Sequence, residues 1–306
     1  MSSCIPTIIS VPAVWSFITA TAATVLAGGG FANKEENFLD VWQRDTDLVK
    51  PEIYKGYLAD GKTRGFKTLE LLEKGFEKAI SEARSAKIED VPGVWSIYNM
   101  GYIVKTSKSF FAIDLIHRRG LELAKELDFL LITHNHGDHC DLNLYKKMNG
   151  MRKTVVSNFL DNYGAHGKNK KKYGGGFTRA EKVFKFDDCE IRTSLVDHNK
   201  YLIDYTTAFE IRVGNWTMYH TGDCGVANKL KTIWGPPNLW TFFPGCGINV
   251  TDAVNKIKPK HLVFGHLWEL GHRTGRLTTP LIRAAQKKAI AAGYTPEVAL
   301  WGDRIS

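Results

Sequence analysis

Thr133-His134-Asn135-His136-Gly137-Asp138-His139-Cys140-Asp141 is the stretch around which the chain is organised. It follows Phe129-Leu130-Leu131-Ile132, a short apolar run that reads as a buried strand, so a rigid element delivers imidazoles and carboxylates at its tip. His134 and His136, two apart in an extended segment, point the same way. Asp138 and His139 follow the flexible Gly137 and turn towards a neighbouring position. Imidazole with carboxylate selects zinc, manganese or iron over a soft thiolate metal. The spacing suits two divalent metal ions, zinc foremost. Two such ions roughly 3.5 to 4 Å apart clamp a hydroxide and hold both the attacked and the leaving oxygen of a substrate. The competing reading is a polar loop whose histidines only hydrogen-bond, which fits a lone histidine better than this cluster.

The pattern His-x-His-x-Asp-His after an apolar strand resembles the metal-binding signature of the metallo-β-lactamase superfamily, and further landmarks follow in order. Asp114, ending Phe110-Phe111-Ala112-Ile113, resembles the strand-end aspartate that orients the signature loop. His198, in Leu195-Val196-Asp197-His198, resembles the third histidine of the first metal site. Asp223, in Tyr219-His220-Thr221-Gly222-Asp223-Cys224, resembles the bridging carboxylate, and His266, in Leu262-Val263-Phe264-Gly265-His266, the last ligand. The resemblance implies one metal on His134, His136 and His198, another on Asp138, His139 and His266, and Asp223 between them. It covers roughly residues 92 to 306 and implies an α/β fold, a four-layer αβ/βα sandwich. A bridging aspartate in place of cysteine separates the chain from the most familiar zinc β-lactamases. Histidine at 136, where the flavodiiron branch has glutamate, argues against oxygen reduction. The wording His-Asn-His-x-Asp-His-x-Asp is similar to the branch holding the ascorbate-phosphate lactonase and the phospholipase D-type enzymes that release N-acylethanolamines.

What the resemblance implies is a dinuclear metal-dependent hydrolase that turns a metal-bound hydroxide on an ester, lactone or phosphodiester. Asp138 or Asp223 would orient the hydroxide and shuttle its proton, while Asp114 acts from behind the ligands. His272, with Arg273 just past the last ligand, is the candidate general acid, a structural hydrogen bond being its other reading. Two alternatives stay open: a metal-binding scaffold without efficient hydrolysis, and iron-dependent oxygen chemistry. His117, His166, His220 and His261 read as non-ligands.

The 306 residues are 43% hydrophobic and 24% charged, which suits one globular catalytic domain plus an extension. A net charge of +9 favours an anionic small-molecule substrate, although a basic balance alone also fits nucleic acid or a membrane surface. The loop Gly167-Lys168-Asn169-Lys170-Lys171-Lys172-Tyr173-Gly174-Gly175-Gly176 either reaches over the metals to neutralise a phosphate or carboxylate, or is simply solvated. It lacks the interleaved aromatics of a single-strand binding groove, so nucleic acid is not expected. No phosphate-binding glycine motif follows a strand, so no nucleotide cofactor is expected either. Cys4, Cys140, Cys189, Cys224 and Cys246 are odd in number and scattered, which points to reduced thiols in a cytoplasmic compartment. Cys140 and Cys224 adjoin proposed ligands and read as packing residues.

Residues 1–33 carry no charge, the first charged residue being Lys34. Without a basic flank and with Pro12 inside it, this segment reads as one that packs on the body or on a second copy of the chain; an export signal or membrane anchor is the alternative. Residues 34–91 read as a helical extension, with Leu69, Leu72, Phe76, Ala79, Ile80 and Ala83 on one face and Glu70 and Lys74 paired on another. In the catalytic part, 92–306, the period predicts a hairpin from 95–98 and 102–105 and strands over 109–114, 153–157, 190–196, 206–213, 216–221, 261–264 and 298–301. Helices are predicted over 141–148 and 280–292.

Overall fold

The computed structural model describes residues 32–157, 176–177, 181–271 and 277–306. The expectations for the uncharged N-terminal segment and for the lysine-rich loop fall outside them. Two units are present, Met1–Val41 and Trp42–Ser306, and both sheets belong to the second. Helix α1 (Ala32–Leu48) begins in the first. Among the described residues no helix is long and apolar enough to cross a membrane.

The first sheet holds β1 (Gly93–Ser96), β2 (Tyr102–Lys105), β3 (Phe110–Ile113), β4 (Phe129–Leu131), β5 (Thr154–Ser157) and β6 (Gly176–Phe177), in that order. The second holds β7 (Lys182–Phe186), β8 (Cys189–Val196), β9 (Thr206–Val213), β10 (Trp216–His220), β11 (Leu239–Phe242), β12 (His261–Phe264) and β13 (Pro296–Val298), again as sequential neighbours. Strand direction decides where the site lies. Because β1, β2 and β3 alternate antiparallel and β4 to β6 continue parallel to β3, β1, β3 and β4 run the same way. By the same count β8 and β10 run together, with β11 and β12 parallel to them. The loops that leave β1, β3 and β4, and those that leave β8, β10 and β12, therefore each emerge at one edge of their sheet.

Between the sheets, Val104, Phe111, Ile113, Phe129, Leu131 and Val156 form one core with Ile191, Phe209, Ile211, Met218 and Val263. Alternate residues of the second sheet, Tyr219, Trp240, Phe242, Leu262 and Phe264, turn the other way, into a cluster with Val250, Ala253 and Val254 of α5 (Val250–Ile257) and Ala285 and Ala289 of α6 (Thr279–Ala291). This is the period-two arrangement of a sheet covered on both faces.

On the first sheet lies α3 (Lys67–Ser85), which follows the short α2 (Pro51–Asp60). Leu69, Leu72, Phe76, Ala79, Ile80 and Ala83 are buried on it, the face that the spacing predicts. Lys105 closes its C-terminal turn, with Nζ donating to the carbonyls of Ala83 at 2.7 Å and Ala86 at 2.9 Å, where the helix dipole favours a cation. Gly75 is needed there because a Cβ would lie 2.4 Å from the Trp301 carbonyl oxygen. Helix α4 (Leu142–Gly150) starts from Asp141, whose carboxylate accepts the amides of Asn143 at 2.8 Å and Leu144 at 3.2 Å and so caps it. Helices outside two stacked sheets make the expected αβ/βα sandwich.

Three details differ from the sequence reading. The first hairpin pairs Ser96 with Tyr102, two residues earlier than predicted, which frees 97–101 as a wider loop. The last strand ends at Val298 because Leu262 pairs with Pro296. The apolar run through Trp301 instead turns, with Asp303 accepting the Leu300 amide at 3.1 Å. Strands β7 and β11 and helix α5 had no predicted counterpart.

Candidate metal centre

Six loops converge at the shared edge. Asp114 directly follows β3 and His134 to His139 follow β4, while Asn99 comes after β1; from the second sheet come His198 after β8, Asp223 after β10 and His266 after β12. Several of these residues hold left-handed backbone, with φ of 60° at Asn99, 43° at Asp114 and 62° at His266, and such conformations persist where the surroundings over-determine them. Gly222, at φ 48°, lies so close to Thr133 that a Cβ would sit 2.8 Å from the threonine Cβ, which brings Asp223 against the signature loop.

The donors fall into two groups, His134, His136, His198 and Asp223 in one and Asp138, His139 and His266 in the other, with the ligand atoms of each group within 4.8 Å of one another. Asp223 joins them. Its Oδ2 is 3.9 Å from His134 Nε2, 3.5 Å from His198 Nε2 and 3.5 Å from His266 Nε2, and its Oδ1 is 3.2 Å from His139 Nε2. His266 Nε2 also lies 3.2 Å from Asp138 Oδ2.

Hydrogen bonds behind the donors set which nitrogen carries the proton. Asp114 accepts the Thr133 amide at 2.7 Å, the Thr133 hydroxyl at 2.6 Å and His139 Nδ1–H at 2.8 Å. His139 therefore turns its Nε2 towards Asp223. Since the Thr133 hydroxyl donates to Asp114, its oxygen accepts from His134 Nδ1, 3.0 Å away, and His134 too presents Nε2. That nitrogen lies 3.0 Å from His136 Nδ1.

These residues fit divalent cations. Two ligands on one tetrahedral zinc, each about 2.0 to 2.1 Å from it, stand roughly 3.4 Å apart, the range seen here between donors. His198 Nε2 is buried with no hydrogen-bond partner among the described residues, as a nitrogen reserved for a cation would be.

The electrostatics agree. Burial would raise the carboxyl of Asp223, but the imidazoles of His139 and His266 outweigh it and hold the group well below the usual range. Burial likewise opposes ionisation of Asp114, which hydrogen bonding and charge from His139 nonetheless bring down to about 2. Asp138 is also lowered, chiefly by His139 and His266 against the cost of burial. His139 is raised well above the ordinary imidazole value because Asp223, Asp138 and Asp114 overcome its burial. His134, buried beside the charged His139, is pushed down and stays neutral. Three buried carboxylates against the imidazoliums of His139 and His266 leave the centre in want of positive charge.

No family model matches the chain. A UPF0173 metal-dependent hydrolase of Pyrococcus furiosus is 29% identical over 157 residues, covering 46% of this chain and 67% of the relative. Among solved structures, a metallo hydrolase of Ignicoccus hospitalis matches at a TM-score of 0.53 and 19% identity, over 70% of this chain and 97% of that one. The metallo-β-lactamase fold protein YhfI of Bacillus subtilis matches at 0.51 and 14% identity, over 71% and 99% of the two chains. The chain has the metallo-β-lactamase fold.

The superfamily resemblance named seven ligands, and all of them meet in the two donor groups. Asp114 stands behind them, bonded to Thr133 and His139. His272, the candidate general acid, lies outside the described residues. Cys140 and Cys224 are buried free thiols outside both donor groups, and burial pushes Cys224 up to about 12, which suits packing rather than ligation. Of the histidines read as non-ligands, His261 pairs with Glu297 at 2.8 Å, and His117 stacks on Phe76. His220 is closer to the site than that reading implies. Its Nδ1 is 2.7 Å from Thr241 Oγ1 and its Nε2 is 3.6 Å from Asp114 Oδ2, so it backs the aspartate.

Sequence reasoning missed four more neighbours. Asn99 donates to Asp138, Thr133 links Asp114 to His134, and Phe243 stacks on His266 at 4.0 Å between centroids. Tyr205 donates its hydroxyl to Asn135 Oδ1 and stands 5.5 Å from the His136 ring and 6.1 Å from that of His198. A signal existed for Thr133 and His220, which flank the ligand motifs directly. Asn99, Tyr205 and Phe243 sit on apolar or turn segments whose sequence says nothing of the site.

Proposed function

We propose that the chain is a hydrolase that holds two divalent cations, zinc foremost, and cleaves an ester, lactone or phosphodiester bond in an anionic small molecule. The observation that carries the reading is Asp223, one carboxylate within 3.9 Å of four imidazole nitrogens drawn from both donor groups. The Pyrococcus and Ignicoccus relatives, described as metal-dependent and metallo hydrolases, support the reaction class.

His134, His136 and His198 would hold one cation and Asp138, His139 and His266 the other, with Asp223 shared. Bound there, such ions supply Lewis acidity that polarises a carbonyl or phosphoryl group and acidifies a water towards a pKa of roughly 7. The chain's own residues do the rest. Asp114 holds a His139 proton on Nδ1 and the Thr133 hydroxyl holds that of His134 there, so Nε2 of each ring would be the ligand atom, that of His139 once a cation displaces its second proton. Asp138 and Asp223 are the carboxylates placed to orient a water and accept its proton. Burial of His134, His139 and His266 keeps bulk water away and strengthens each interaction with developing charge. His136, Asn135, His198 and Tyr205, which are only partly buried, would form the open side, where substrate would enter. The net charge of +9 favours an anion there.

Metal content per chain by inductively coupled plasma mass spectrometry, with His134→Ala and His266→Ala alongside, tests the centre; a panel of lactones, esters and phosphodiesters tests the reaction. About two equivalents of zinc or manganese, reduced in both variants, and turnover lost by orders of magnitude in folded His134→Ala are expected. No metal after reconstitution would overturn the reading, and stoichiometric iron with oxygen uptake would replace hydrolysis by oxygen chemistry.

A further inference from the structure

We propose that Asn99 is a positioning residue of the second donor group: its side-chain amide fixes Asp138, its main-chain carbonyl fixes His266, and together they set that group's affinity for a cation. The role rests on the two-cation reading of the centre.

Asn99 lies in the loop after β1 and is 3% exposed. Its φ of 60° is left-handed backbone, which asparagine adopts more readily than most residues. In that conformation the residue acts in two directions. Nδ2 donates to Asp138 twice, to the main-chain oxygen at 3.0 Å and to Oδ2 at 3.0 Å, and lies 3.4 Å from His139 Nε2. On the other side the main-chain carbonyl of Asn99 accepts the His266 amide at 2.9 Å, and the pairing continues as a bridge between Asn99 and Leu267.

Asp138 and His266 belong to loops of different sheets, yet their ligand atoms must meet, and Asp138 Oδ2 stands 3.2 Å from His266 Nε2. Asn99 is in contact with both from a third loop. A neutral amide suits the task. It directs Asp138 through a hydrogen bond while leaving the carboxylate its charge for the cation. A lysine or arginine there would neutralise Asp138, and an aspartate would repel it. None of its hydrogen bonds reaches His134, His136 or His198, so its influence should be confined to one of the two groups.

Asn99→Gly is the discriminating variant, because glycine keeps the left-handed backbone and the carbonyl that holds His266 while deleting only the amide. Zinc titrated calorimetrically into metal-free protein should show the first equivalent bound as in wild type and the second weakened about 10- to 100-fold, the range for loss of a group that orients a ligand. In an Asp138→Ala background the same substitution should add little to the loss, because the carboxylate that the amide orients is gone and only its bond to the main-chain oxygen of residue 138 remains. Wild-type affinity for the second equivalent, equal weakening of both equivalents, or an additive loss in the double variant would each overturn the role while leaving the two-cation centre standing. Fewer than two equivalents on wild type would overturn that centre, and the role with it.

Discussion

At the scale of single residues, Asp114 shows how much of the centre is fixed from behind. It accepts three hydrogen bonds while fully buried, and two of them decide the proton positions on His134 and His139. Asp114→Asn turns an acceptor into a donor facing those groups. Zinc affinity, read by competition with a chromogenic chelator, should fall about 10- to 100-fold, and an unchanged value would contradict the assignment. His266 gives a pH dependence. Asp223 and Asp138 outweigh its burial and raise it to about 9, so in the metal-free fold it holds a proton below that pH, and a cation must displace it. Affinity should climb with pH by about tenfold per unit for each proton displaced, levelling as pH approaches 9. Dissociation constants at pH 6.5, 7.5 and 8.5 check this; a flat profile refutes it.

At the scale of elements, α3 is held by features that oppose ordinary helix propensity. Gly75 to alanine in an exposed helix would stabilise by about 1 kcal/mol. Here the added Cβ would meet the Trp301 carbonyl oxygen at 2.4 Å, and overpacking of that kind costs about 1 to 3 kcal/mol. The steric cost is the larger, so Gly75→Ala should lower the urea midpoint. Beneath the same helix His117 stacks on Phe76 with ring centroids 3.9 Å apart, and its Nδ1 accepts the Arg119 amide at 3.2 Å. A proton on Nδ1 would face that N–H, and burial lowers the group to about 4 from its ordinary 6.5. The unfolded chain protonates this histidine first, so its contribution is complete above pH 6.5 and is lost as pH falls towards 4. The total is about 3 kcal/mol. Unfolding of metal-free wild type and His117→Phe at pH 7.5 and 5 should show a smaller acid loss in the variant, and equal losses would exclude this source.

At the scale of the whole molecule, the donors were readable in the sequence because histidine and aspartate at strand tips are chemically distinctive, and each motif carries its own apolar strand before it. The face of α3 was readable for a similar reason, its apolar spacing being repeated over several turns. Asn99 was not, since its role depends on where two sheets bring Asp138 and His266 together. Strand β11 comes after Pro236-Pro237 and is buried on both faces, which erases the alternation that marks a half-exposed strand. Helix α5 has only eight residues. If cations bind the folded chain alone, chelation should lower its stability; at a hundredfold excess over the dissociation constant the loss is about 2.7 kcal/mol, roughly 5 to 10 °C in a thermal melt. An unchanged melt would mean that the donors bind no cation tightly.

The division of the ligands between the two sheets has one more use. A chain cut ahead of β7 yields one fragment with His134, His136, Asp138 and His139 and another with His198, Asp223 and His266, so neither fragment alone owns a full set for either ion. Reassembly of such halves would be reported by zinc uptake itself, making the seam between the sheets a built-in sensor of complementation.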